Sequence, residues 1–126
     1  MAVGLSLTEA NTFVNGFVAA YPWILLHTGN PGAAGTLLVA TNAIRKDAGA
    51  ALGAASGGVS TSTSSIDWPE GEVSGSESYT HFSMWSAETA GVFGGSGNLL
   101  ANNVAAIGDA FSILTSGLTL GVAVAS

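Results

Sequence analysis

Two histidines and eight carboxylates are the side chains of this chain that could move a proton or hold a metal ion near neutral pH. His27 lies in WILLHTGNPGAAGTLL, residues 23–38, where a short apolar run breaks into Gly, Asn and Pro. It is the only titratable side chain of that stretch. His81 lies in SYTHFSMW, residues 78–85. With Asp47 or Asp67 either histidine could serve as a general base, and the two together could be part of a metal site. The spacing supports neither role: there is no H-x-x-x-H pair, and zinc would need a third protein ligand. Both read as structural side chains. His27 is placed to bond turn backbone, and His81 to pair beside aromatic neighbours in a strand.

The remaining chemistry is excluded on similar grounds. Asp67, Glu70, Glu72 and Glu77 crowd the segment DWPEGEVSGSE at 67–77. Calcium takes about six to eight oxygen ligands, but these acids do not have the spacing of an EF-hand loop. They read as solvated acids on a polar loop. GGSG at 94–97 and GAAG at 32–35 lack the lysine of a phosphate-binding loop, and no helix follows to lend its dipole, so both read as turns. Trp23, Trp68 and Trp85, with Tyr21 and Tyr79, could stack on sugars, although aromatic side chains more often fill cores and interfaces. Trp68 stands beside Pro69 in the polar loop and is expected to be exposed. Trp68 and Pro69 are therefore the candidate partner contact. No catalytic, cofactor-binding or metal-binding residue is assigned, and no cofactor is expected.

The elements that must carry these residues begin with a helix. SLTE at 6–9 is a capping box, in which Ser6 can accept from the backbone N–H of Glu9. Phe13, Val14, Phe17, Val18 and Tyr21 follow at helical spacing, and Pro22 ends the run. One amphipathic helix over about 7–20 is predicted. Trp23–His27 reads as a strand and NPG at 30–32 as a turn. Thr36–Ala40 and Ala43–Asp47 are short strand candidates, and the low-complexity stretch 48–65 reads as a small-residue strand with loops. Tyr79–Trp85 is a strand placing Phe82 and Met84 on one face, with Tyr79, His81 and Trp85 on the other. Residues 91–101 look like a hairpin turn leading into a strand. GDAFSIL (108–114) and LTLGVAV (118–124) read as a hairpin turning at Ser116–Gly117. Leu118, Leu120, Val122 and Val124 share one face of its second strand. Many short strands with frequent turn signals give a mainly β fold: a compact antiparallel β-sandwich over about 23–124, with one N-terminal amphipathic α-helix.

Length and composition bound the rest. The chain's 126 residues suffice for a single domain over 1–126. It has no cysteine, hence no disulfide framework. No basic and then apolar leader opens it, and the longest apolar runs fall far short of the ~20 residues that span a bilayer. A soluble protein made in a cytoplasm, with no membrane partner, is expected. Eight acids face only Arg45 and Lys46, for a net charge of −6 and no basic patch, which argues against nucleic acid. Only 8% of residues are charged, against about 25% in ordinary domains. With a mean hydropathy of +0.49, this predicts that part of the surface is covered by a partner.

Three stretches together resemble a family of small bacteriophage proteins, the tail-fibre or minor structural proteins of the Gp80 type. LLHTGNPG (25–32), following the helix, resembles that family's L-H-T-x-x-P-G. SYTHFSMWSAETAG (78–91) resembles its T-H-x-x-L-W-x-A strand and glycine turn. NLLANNVAAIGDAFSILTSGLTLGVA (98–123) resembles its closing pattern. The segments occur in the family's order and cover 7–32 and 78–124, while 48–77 matches poorly. The resemblance implies a small β-sandwich that serves as a non-enzymatic virion part, assembled in the host cytoplasm, with no catalytic residue to carry over. A fibre needs a long shaft of heptads or repeating β-structure, and this chain has neither. The expectation is therefore an accessory domain docked on the major capsid protein lattice as a decoration or minor capsid protein. The alternative is a minor tail or tail-fibre-associated protein, with host-glycan adhesion as one form of it. A homo-oligomer is expected, a trimer being one arrangement.

Overall fold

The first helix forms where its cap places it. In the structure, a computed structural model describing residues 4–41, 43–69, 72–73, 77–105, 111–113 and 119–121, helix α1 spans Leu7–Ala20. The Ser6 side chain accepts from the Glu9 N–H at 3.3 Å, and Glu9 places a negative charge in the first turn, where the helix dipole favours it. Tyr21 closes the last turn on the Phe17 carbonyl, and Pro22 prevents continuation. Ala10 and Val14 are buried, and Phe17, Val18 and Tyr21 pack against the core from its edge. Phe13 departs from the predicted stripe: it stays 57% exposed. At about 100° per residue it falls on the flank of the face that Ala10, Val14 and Tyr21 define. The opposite flank is tied down by polar contacts, with Asn11 accepting from the Gly58 N–H and Asn15 from the Ala55 N–H, both at 2.8 Å.

The main sheet is antiparallel throughout, in the order β2-β1-β5-β6. Strand β1 (Trp23–His27) lies between the two-residue β2 (Lys46–Asp47) and β5 (Glu77–Trp85), and β5 pairs with β6 (Phe93–Ala105). Ile24 faces Met84 and Leu26 faces Phe82 on the core side of the β1–β5 pair. On the other side Trp23, Leu25 and His27 stand opposite Trp85, Ser83 and His81. Tyr79 breaks the predicted alternation, because it joins Phe82 and Met84 in the core. The cause is a register break. Tyr79 pairs with Asn103 but His81 with Asn98, so residues 99–102 stand opposite the single Thr80.

Two further pairs complete the strands: β3 (Val59–Thr61) with β8 (Thr119–Gly121), and β4 (Ile66–Trp68) with β7 (Phe111–Ile113). Ile66, Trp68, Phe111 and Ile113 join Ile24, Leu26, Tyr79, Phe82 and Met84 in one buried cluster, so the β4–β7 pair lies over the main sheet as a second layer. The fold is mainly β with a single helix among the described residues, in the antiparallel architecture expected.

Several local expectations are corrected. Thr36–Ala40 is a loop that pairs with β1 through the single Val39–His27 bridge. Leu38 takes φ 51°, which takes the backbone out of the extended region. Ala43, at φ 52°, similarly confines the Ala43–Asp47 candidate to its last two residues. GGSG at 94–97 lies in β6 and is not a turn. Its glycines admit aromatic rings: a Cβ at Gly94 would stand 2.4 Å from Tyr21 Cγ, and one at Gly97 would stand 3.1 Å from the Phe82 ring. Among the described residues the two strands of the predicted closing hairpin do not pair with each other, since β7 answers β4 and β8 answers β3. Its Ser116–Gly117 turn, like Leu118, Val122 and Val124, lies outside the described residues.

Candidate functional site

The two histidines predicted to be structural meet on the side of the main sheet facing away from the β4–β7 layer. The antiparallel register sets His27 directly opposite His81, with Ser83 one side-chain position further along the same face. His27 Nε2 lies 2.7 Å from Ser83 Oγ. Its Nδ1 lies 2.8 Å from the Leu37 carbonyl oxygen. A carbonyl can only accept, so Nδ1 carries the proton and Nε2 of the neutral ring accepts from the Ser83 hydroxyl. The Ser83 oxygen in turn accepts from Trp85 Nε1 at 2.7 Å. Every polar atom of the Leu37–His27–Ser83–Trp85 chain therefore has a partner.

A serine hydroxyl bonded to a histidine nitrogen is the contact a nucleophile and its base require. Here it is sealed. His27 and Ser83 are both 0% exposed, and the second ring nitrogen is oriented by a backbone carbonyl rather than by a carboxylate. Burial lowers the His27 pKa below its ordinary 6.5, with His81 adding a smaller push in the same direction against the Leu37 and Leu38 carbonyls. The group is held neutral. His81 remains half-buried, its Nδ1 2.8 Å from Thr80 Oγ1.

What covers this pair is the loop 28–41. The Asn30 side chain accepts from the Gly32 N–H at 2.9 Å and shapes the predicted NPG turn. Gly32 and Gly35 close the GAAG turn at 3.2 Å. The Thr28 N–H donates to Leu38 O at 2.8 Å, and the Ala40 N–H to Leu26 O at 3.0 Å, which returns the loop to β1. Gly35 lies flat on the Phe93 ring, where no Cβ would fit. Phe93 packs at 5.4 Å on Trp85. Arg45 stands 4.1 Å over the Trp85 ring and donates to the Ala87 and Ala90 carbonyls at 2.8 and 2.7 Å. Ser83, Arg45 and Phe93 had no place in the sequence reading. The alternation in THFSMW put Ser83 and His81 on one face, but only the β1–β5 register shows that His27 shares it.

The other candidates disperse. Trp68, expected to be exposed, is 0% exposed. Its indole N–H donates to Ile44 O at 2.9 Å, and its ring packs at 5.7 Å on Phe111. The tryptophan is a core residue because β4 alternates Ile66 and Trp68 inward with Asp67 outward. Pro69, next along, is exposed. Trp85 and Tyr79 are buried as well, while Tyr21 and Trp23 are half-buried. Burial, with the neighbouring Glu77 carboxylate second, pushes the Tyr79 phenol up to about 12. The acids do not converge. Asp67 accepts from Ser112 and Ser65, Glu72 pairs with Lys46 at 2.7 Å, and Glu77 accepts from the Thr41 N–H and hydroxyl. Glu70 lies outside the described residues. No group of three metal-ligating side chains occurs among the described residues, and no described helix is long and apolar enough to cross a membrane.

The exposed features are apolar instead. Phe13 borders a cleft of about 150 Å³ between α1 and β8, lined by Val14, Phe17, Leu120 and Gly121. Val59 packs beside Gly121 and is itself exposed.

A family model described as "Podophage GP4 fiber I protein gp80" matches residues 7–121, and the chain belongs to that family. The match spans the helix, the main sheet and both small strand pairs, including the middle segment that the sequence motifs left unmatched. No curated protein matches the chain. The chain is a bacteriophage structural protein and a virion component.

Proposed function

We propose that this phage fibre-family protein is a non-enzymatic domain that docks on the tail or fibre apparatus rather than decorating the shell. The family description supports the tail or fibre location, since it names a fibre protein over 7–121. The sealing of the Ser83–His27 contact supports the absence of catalysis, because a substrate carbonyl has no approach to a serine that is already bonded on both sides. The apolar surface around Phe13 and Val59 suits adhesion to a larger assembly. Neighbouring fibre or tail proteins are its natural partners. The buried state of Trp68, Tyr79 and Trp85 weighs against a glycan-binding role, and of the proposed anchor pair Pro69 alone remains at the surface.

Gold-labelled antibody against the chain, imaged on intact particles, tests this. Label on the tail or its fibres at fixed stoichiometry is the expected result. Label spread over the shell would overturn the location, and absence from purified particles would overturn the structural role.

A further inference from the structure

The loop 28–41 lies as a strap across the aromatic side of the main sheet, and its C-terminal part is tied down at three points. The Val39–His27 bridge joins it to the edge of β1, and its Leu37 carbonyl is held by the His27 ring. Thr41 is held through its N–H (2.8 Å) and hydroxyl (3.1 Å) by the two carboxylate oxygens of Glu77. The strap itself carries no ionisable side chain between Thr28 and Thr41, so nothing within it opposes a change at His27. Beneath it lie His27, Ser83, Trp85 and Phe93. Its outer face exposes Leu37 and Leu38, each 59% exposed.

We propose that residues 28–41 form an acid-released strap, in which protonation of His27 frees Leu37 and uncovers the Trp85–Phe93 face of the sheet. In the neutral ring Nε2 accepts the Ser83 proton. An imidazolium has a donor there instead, so two donors, His27 Nε2 and Trp85 Nε1, would converge on Ser83 Oγ, and the Ser83 proton would lose its acceptor in an enclosed site. The groups facing the new charge make matters worse. On β5 the titratable group opposite is His81. Next to β2 the nearest cation is Arg45, over Trp85. β6 offers Phe93 to this side, and the strap offers only carbonyls. No carboxylate acts on His27 among the described residues. The charge is relieved by letting the ring reach water, and the cover that can lift at the cost of the single Val39–His27 bridge, with the β1–β5 and β1–β2 ladders intact, is the strap.

The sign follows from linkage. A base held neutral in the closed form but free to protonate at its ordinary value of about 6.5 in the open form favours opening below that pH, by roughly tenfold per pH unit. Amide hydrogen exchange on the full chain, corrected for intrinsic rates, reads this directly. Between pH 7.5 and pH 5.5 the amides of Thr28 and Ala40, which bridge the strap and β1, should lose about tenfold protection while those of α1 and β5 keep theirs. His27→Asn retains a side-chain donor for Leu37 and cannot titrate, so its strap should stay protected at pH 5.5. The ¹⁵N shifts of the wild-type His27 ring supply a readout that needs no variant: they should show the Nδ1–H form at pH 7.5 and titrate together with strap exchange. Equal loss of protection across all strands, unchanged strap protection at pH 5.5, or a ring that titrates without strap opening would each overturn the proposal.

Discussion

Replacing Trp68 by alanine separates two readings of the same residue. On sequence it is an exposed partner anchor, and in the fold it is a core side chain. Its ring is fully enclosed and packs on Phe111, and its indole N–H reaches Ile44 O. Truncating a buried tryptophan to alanine costs about 3–5 kcal/mol, the transfer term and the cavity term together. A domain of this size has a total stability of about 5–15 kcal/mol. At roughly 4 °C per kcal/mol, the midpoint of thermal unfolding should fall by about 12–20 °C. Trp68→Phe keeps most of the ring contact and loses the hydrogen bond, so it should cost only about 1–2 kcal/mol. Circular dichroism melts and urea titrations of the two variants, with the urea slope unchanged, check both figures. A Trp68→Ala midpoint within about 3 °C of wild type, together with lost occupancy on particles, would refute the core assignment and restore the anchor.

Two glycines give predictions of opposite sign. Gly16 lies inside α1 and a Cβ there meets nothing within 4 Å, so Gly16→Ala should raise stability by up to about 1 kcal/mol through helix propensity alone, seen as a higher urea midpoint. Gly94→Ala would drive a Cβ to 2.4 Å from the Tyr21 ring, and the resulting overpacking should cost about 1–3 kcal/mol in the same titration.

The parts of the fold written in local code were legible. The capping box and Pro22 bound α1 at both ends without help from the rest of the chain, and the apolar run before HTGNPG marked β1. His27 does bond loop backbone, but at Leu37, beyond the HTGNPG turn, and its second ring nitrogen meets Ser83. What failed depends on pairing. Trp68 reads as a loop residue until β7 arrives, more than forty positions later, to make β4 a strand. Tyr79 changes faces because four residues of β6 stand opposite one residue of β5, which no periodicity in 79–85 reveals. The glycines of 94–97 carry a turn's composition for a strand's reason, since Tyr21 and Phe82 occupy the space their side chains would take. Ser83 had no visible role because its partner, His27, lies 56 positions away in sequence.

The disposition of charge supports the proposal that so weakly charged a chain docks through apolar contact. Both cations serve the fold: Arg45 holds the turn after β5 by two carbonyls while capping Trp85, and Lys46 pairs with Glu72. Several acids are also engaged at home, Asp47 on the Gly49 N–H, Asp67 on two serines and Glu77 on Thr41. An interface built on ion pairs would have to take these groups from contacts they already make, and exposed pairs return little, about 0–1 kcal/mol each. The surface around Phe13, Val59 and Leu120 carries no such conflict. Burying it costs no desolvated charge, and each Å² of apolar area removed from water contributes about 25 cal/mol. The cleft between α1 and β8 is lined by apolar side chains and Gly121, with Glu9 one turn away on α1 as the nearest charge of the helix.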